Sequence, residues 1–177
     1  MNRNSIGATG ASVAGMLLAG VMLVFSALPA SGQTSQPDQR WRSWVGCWSP
    51  VTALGAPTDG AVVCVIPVAG SAAVEFATVT DGKIVGRERV EANGVQRASA
   101  KDGCTGWERA QWSPQASRVY LRSEYNCASA PKRTSSGMLV MSSPGEWLSV
   151  QGMTVGKGTG IRVLRYNVAA VPSVLAG

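Results

Sequence analysis

The chain has 177 residues, 16 lysines and arginines against 10 aspartates and glutamates, four cysteines and no histidine. Without histidine, neither a Ser/His/Asp nor a Cys/His nucleophilic constellation can be built, and the commonest general base is missing. The net charge of +6 comes from cations scattered among acids such as Glu88, Glu91, Glu108 and Glu124, so no stripe tracks a phosphate backbone and nucleic acid is not an expected partner.

The first segment is an export address. No charged side chain lies between Ile6 and Gln33, and Val13 to Leu28 is almost wholly apolar. Arg3 precedes the apolar run and Ala30, Ser31 and Gly32 follow it, which is the order of parts in a secretory signal peptide cleaved after Ala30 or Gly32. The apolar run, counted from Ala11 to Leu28, is 18 residues long, longer than the usual 7 to 15 or so. Retention as an N-terminal membrane anchor is therefore the alternative fate, and the only membrane contact the sequence itself implies. No cysteine directly follows the run, which argues against a lipoprotein. The expected division is a signal peptide over 1–32, a flexible polar leader over 33–39 and one domain over 40–177. Cleavage after Gly32 leaves 145 of the 177 residues, with 15 cations and 10 anions, enough for one hydrophobic core. The expected location is the periplasm or the exterior, and oligomeric state is not legible.

Past the leader, turn signals recur at short, even spacing: Gly55-Ala-Pro57, Asp59-Gly60, Asp81-Gly82, Asn93-Gly94, Asp102-Gly103, Ser113-Pro114, Ala130-Pro131 and Ser143-Pro-Gly145. Between them lie β-branched, alternating stretches. These predict strands over 61–68, 74–80, 83–90, 95–100, 106–112, 118–125, 137–142, 147–155 and 161–168. In the clearest of them Val119, Leu121 and Tyr125 share one face while Arg118, Arg122 and Glu124 share the other, the period of a half-buried strand. Asp81-Gly82 suits a two-residue hairpin turn, and Asn93-Gly94 offers a second hairpin into Val95. The expected fold is all-β: an antiparallel up-and-down meander of about 8–10 strands closing into a small barrel, because an open sheet of that length leaves edges exposed.

Cys47, Cys64, Cys104 and Cys127 all lie in the exported part, where an even number is read first as disulfides. Three pairings are possible. A meander favours Cys47 with Cys64 and Cys104 with Cys127, since each pair then joins neighbouring strands. Metal binding is not expected, because the spacing contains no C-x-x-C and no histidine completes a ligand set.

The densest cluster is Trp41-Arg-Ser-Trp-Val-Gly-Cys-Trp48, three of the six tryptophans in eight positions. Its Gly46-Cys47-Trp48 resembles the G-x-W that opens lipocalin-like (calycin) barrels. The resemblance implies that Trp48 closes one barrel end and that a basic residue of the last strand, Arg162 or Arg165, packs over it. These two are three apart and face opposite sides of a regular strand, so at most one can do so. Cys47 inside the motif departs from the family pattern. Two other motifs are absorbed by structure. Trp112 to Tyr120 (WSPQASRVY) is similar to a bacterial β-propeller blade motif, but one copy in 145 residues makes no propeller. Gly152 to Gly158 lacks the spacing and the Ser or Thr of a phosphate loop, and reads as a hairpin.

Carboxylates that could in principle pair are Glu75, Glu88, Glu91, Glu108 and Glu124, but none has a context that marks it as catalytic. The chain is therefore expected to be no enzyme and to need no cofactor. The expected function is binding of a small apolar or amphipathic molecule inside the barrel, with Trp107, Trp112, Tyr120 and Trp147 as lining residues. The alternative is a non-catalytic envelope structural or interaction module whose barrel is filled by its own side chains.

Overall fold

The computed structural model describes residues 38–52 and 60–176. The expected signal peptide, almost all of the leader and the Gly55-Ala-Pro57 turn lie outside the described residues. Ten strands follow in chain order: β1 (Gly46–Thr52), β2 (Val62–Pro67), β3 (Val74–Thr80), β4 (Lys83–Val90), β5 (Arg97–Lys101), β6 (Cys104–Trp112), β7 (Arg118–Cys127), β8 (Arg133–Ser143), β9 (Glu146–Val155) and β10 (Gly158–Ala169). Among the described residues the only helical pieces are 3-10 turns at Gln39–Trp41 and Ser173–Leu175.

The hairpin turns follow from local chemistry. Asp81 and Gly82 both take positive φ (51° and 70°), as do Asp102 and Gly103 (51° and 73°), which is what a two-residue turn matching strand twist demands. β3 therefore pairs with β4, and β5 with β6. The Trp112–Tyr120 motif is strand, turn and strand. The buried Ser113 accepts, through its hydroxyl, the backbone N–H groups of Ser117 and Arg118, each at 3.2 Å.

All pairings are antiparallel, in the order β4-β3-β2-β1-β10-β9-β8-β7-β6-β5. The first and last strands are joined, Cys47 opposite Ala169 through Thr52 opposite Leu164. The sheet is thus curled nearly into a barrel, and its open seam falls between the sequence neighbours β4 and β5. This corrects the hairpin expected at Asn93-Gly94. Only Gly94 takes positive φ there, whereas that hairpin turn needs it at both central residues. The Asn93 side chain instead accepts the Val95 N–H at 3.0 Å. The chain then steps across to β6: Asn93 bridges Gln111, Gly94 N donates to Ala110 O at 2.8 Å, and Trp112 N donates to Ala92 O at 3.3 Å.

The concave face is filled at one end by aromatic rings. Trp41 and Trp44, from the 3-10 turn and the residues after it, are 1% and 2% exposed. Trp41 lies 4.7 Å from Trp112 and 6.1 Å from Phe76, and Trp44 lies 5.7 Å from Trp147. Trp147 stacks on Tyr166 at 3.7 Å. Val65, Val74, Val90, Val119, Leu139 and Leu164 complete this core. Asp38 holds the plug in place. It caps the 3-10 turn, pairs with Arg40 at 2.7 Å and accepts the Trp112 Nε1–H at 3.2 Å, and the Arg40 guanidinium lies 5.2 Å over the Trp112 ring. The Arg40 hydrogen bond outweighs burial and lowers the pKa of Asp38.

Both disulfides join directly opposed residues. Cys47–Cys64 links β1 to β2 with Cα atoms 4.0 Å apart, and Cys104–Cys127 links β6 to β7 at 4.1 Å. Each stabilises by about 3 kcal/mol in the chain-entropy account.

Trp44→Ala, which empties the centre of the plug, is expected to cost about 3–5 kcal/mol of unfolding free energy. Val85→Ala, at a side chain 65% exposed, is expected to stay within about 0.5 kcal/mol. Urea unfolding followed by tryptophan fluorescence reads both.

Candidate functional site

Strand alternation divides the interior into layers. On the concave face Trp112, Val119 and Leu139 form one cross-strand row, and Ala110, Leu121, Gly137, Gln151 and Arg162 form the next. Farther from the plug come Arg97, Glu108, Ser123, Ser135 and Met153, then Ser99, Gly106, Tyr125 and Arg133, and finally Lys101 beside the Cys104–Cys127 bridge. The interior therefore passes from indoles through small aliphatics to charged and hydroxyl groups.

The polar layers enclose a cavity of about 280 Å³ beside the seam. Its apolar floor includes Val90, Ala110 and Leu121, and its walls carry Glu88, Arg97, Lys101, Glu108, Tyr125 and Arg133. Lys101 Nζ lies 2.6 Å from Glu108 Oε1 and 3.6 Å from Glu88 Oε1, so two carboxylates converge on one ammonium. The Tyr125 hydroxyl donates to Glu108 Oε1 at 2.5 Å and lies 2.9 Å from Ser99 Oγ. The Ser123 and Ser135 hydroxyls are 2.8 Å apart. Two ion pairs bridge the seam where backbone pairing stops: Lys101 to Glu88, and Arg97 to Glu91 at 2.9 Å. Salt-bridge closure is looser than a ladder, since exposed pairs contribute only about 0–1 kcal/mol each.

Gly106 makes the network possible. It sits between Ser99 and Tyr125 in one row, so the tyrosine reaches across a residue with no side chain to meet β5. A Cβ at Gly106 would lie 1.8 Å from the Glu124 carbonyl oxygen, a backbone atom that cannot swing away.

Burial by itself raises the pKa of Glu108, but hydrogen bonds from Lys101, Tyr125 and Ser99 outweigh it and hold the carboxyl below its ordinary 4.5. Burial likewise opposes the Lys101 charge, yet Glu108 and Glu88 push its pKa above the ordinary 10.5. Burial, and after it Glu108, raises that of Tyr125. The site thus holds a charged lysine, an ionised glutamate and a neutral tyrosine. These groups are suited to binding a polar group; none is poised to accept a proton as a base at neutral pH.

The expected site residues are dispersed. Trp112 and Trp147 face inward but are 5% and 2% exposed, packed in the aromatic plug. Trp107 and Tyr120 alternate to the convex face, opposite Glu124 and Gln111 respectively, so neither lines the cavity. Gly46 (φ 135°) and the 3% exposed Trp48 do stand at the plugged end, where Trp48 Nε1 donates to Trp44 O at 2.9 Å. The arginine partner is corrected. Trp48 pairs with Val168, which puts Arg165 about 10 Å and Arg162 about 20 Å along the strand. Arg165 faces outward and pairs with Glu146 at 3.4 Å, while Arg162 is exposed in the concave row next to the aromatic layer, opposite Gln151. The cation over a ring in the aromatic plug is Arg40, over Trp112, supplied from before β1. Ser99, Lys101 and Tyr125 were not singled out by sequence. Alternation on β6 and β7 together with the Asp102-Gly103 turn carries the signal for them, because that turn sets β5 in register.

No group of three or more metal-ligating side chains occurs among the described residues. No family model matches the chain, and no curated protein is significantly similar to it in sequence. Among solved structures it is similar to a secretory abundant heat soluble (SAHS) protein of Ramazzottius varieornatus, with a TM-score of 0.46 and 11% identity over 72% of this chain and 96% of that one. It is also similar to secretory abundant heat soluble protein 4 of the same organism, with a TM-score of 0.46 and 14% identity over 77% and 100%. At that distance neither likeness bears on the chemistry of the cavity.

The Lys101–Glu108 tie has a pH signature. A depressed carboxyl contributes stability above pH 4.5 that is lost as pH falls through its lower folded pKa, and a raised lysine contributes stability below pH 10.5 that is lost as pH rises through its higher folded pKa. The stability difference between wild type and Glu108→Gln is therefore expected to be about 1 kcal/mol near neutrality and to shrink below pH 4.5, read by urea midpoints across pH. Gly106→Ala is expected to destabilise by about 1–3 kcal/mol through the clash with β7, read by the same unfolding curves.

Proposed function

We propose that this chain is an exported, non-catalytic barrel protein that takes up a small amphipathic molecule through its open end. The observation that carries the reading is the two-part interior: a plugged aromatic end, and beyond it a cavity of about 280 Å³ with an aliphatic floor and charged walls. That volume is near the lower edge of small-molecule sites, about 300 to 1,000 Å³. The apolar part of the ligand would lie on Val90, Ala110 and Leu121, and its polar part on the Lys101, Glu108 and Tyr125 groups.

A purely apolar ligand seated among the tryptophans is disfavoured, because their rings already fill that end. The same packing supports a second reading, a non-catalytic envelope module with a self-filled barrel. Non-catalysis rests on the absence of histidine and on pKa directions that lock the lysine charged and the tyrosine neutral. Export rests on the apolar Val13–Leu28 segment and on four cysteines, all of them in disulfides.

Native mass spectrometry of the protein isolated mildly from its own host is expected to show a bound small molecule. That mass is expected to be absent from Leu121→Trp, whose indole fills the cavity floor. A bare wild-type mass in repeated preparations would favour the self-filled module instead.

A further inference from the structure

The convex face of β6 to β10 carries an arrangement beyond the ionic network of the cavity, although two of its residues, Arg109 and Arg122, also border that cavity. Arg109 and Arg122 stand directly opposite each other across β6 and β7, and like charges so placed are destabilising. Arg118 lies on the same face of β7, with Tyr120 between it and Arg122. Among the described residues no carboxylate comes within 4.0 Å of any of the three arginines; Arg109 reaches only the Gln111 amide oxygen, at 2.8 Å. The other strand cation on this face, Arg165, is neutralised by Glu146.

Beside the arginines runs an apolar row across four strands: Tyr120, Met138, Val150 and Val163 in direct register. Tyr120 is 42% and Val163 39% exposed, and Ile161 on the same face is 81% exposed. β7, β8 and β9 are paired on both sides, so this face has no strand edge with which to read an extended peptide and offers side chains alone. Uncompensated arginines, a tyrosine and bare aliphatics on one face are the combination that seats in the interface of an anionic bilayer, where guanidinium groups meet headgroup phosphates and apolar side chains enter the acyl boundary. A second copy docked by two-fold symmetry would bring the arginines of both together.

We infer that the convex face of β6 to β10 docks on an anionic lipid surface, with Arg109, Arg118 and Arg122 on the headgroups and the Tyr120 to Val163 row against the lipid. This goes beyond the proposed cavity ligand and does not require one. Hydroxyl-radical footprinting of the full chain, on vesicles of phosphatidylcholine alone and of phosphatidylcholine with phosphatidylglycerol, tests it. Because the readout is local to each side chain, attachment through the apolar N-terminal segment does not mimic it. On the anionic vesicles oxidation of Tyr120 and Met138 is expected to slow several-fold, while Met153 and Tyr125 of the concave face keep their rates. Arg109→Gln with Arg122→Gln is expected to weaken this protection about tenfold in lipid concentration. A charge-matched control, Lys83→Gln with Lys157→Gln, is expected to keep it, and near-ultraviolet circular dichroism checks that both variants are folded. Four results would overturn the inference: no protection, equal protection on phosphatidylcholine alone, protection retained in the arginine variant, or equal protection by soluble poly-glutamate, which would assign the face to an acidic protein.

Discussion

Indole packing against the concave sheet sets the terms for the rest of the molecule. Trp41 and Trp44 come from outside the sheet, yet they contact rings contributed by β3, β6 and β9, so burying them joins strands distant in sequence. Desolvation of large apolar rings is non-directional, and it needs the sheet to curl around them. The joining of β1 to β10 and the disulfide between β1 and β2 hold that curl at the plugged end.

The plug also explains why the opposite end can be polar. Charged groups on a concave face are costly unless paired or left in contact with water, and here they occur only in rows beyond the aromatic layer, where Arg97, Lys101, Glu108 and Arg133 have ion-pair partners and Arg162 is exposed. β5 is short, and the chain before it is bonded to β6, so β4 has no ladder partner on that side. Lys101 and Arg97 supply side-chain bridges in place of the missing backbone bonds. Ion pairs thus stand beside the cavity at the place where backbone pairing stops.

Much of the architecture was legible in the residues. Strands 74–80 and 83–90 match their expected bounds, the Asp-Gly turns adopt the required backbone, and the favoured cysteine pairing is the one formed. Asn93-Gly94 misled because a turn dipeptide states a preference, and competing bonds to β6 decided the outcome. The lining tryptophans misled for a different reason. Trp107 and Trp112 are five apart on one strand and must face opposite sides, but period two alone cannot say which side is inside. The arginine expected over Trp48 failed on length: along a β-strand six residues cover most of a small barrel's height.

Sequence alone determined the all-β class, the disulfide framework and the lack of histidine, because each rests on local periodicity, turn geometry or composition. Only the tertiary structure decided where the sheet stays open, which faces are concave, and that Ser99, Lys101, Glu108 and Tyr125 meet. Those outcomes depend on cross-strand register and on which face the tryptophan plug occupies. Both are set by contacts between residues far apart in the chain, and no local pattern encodes them.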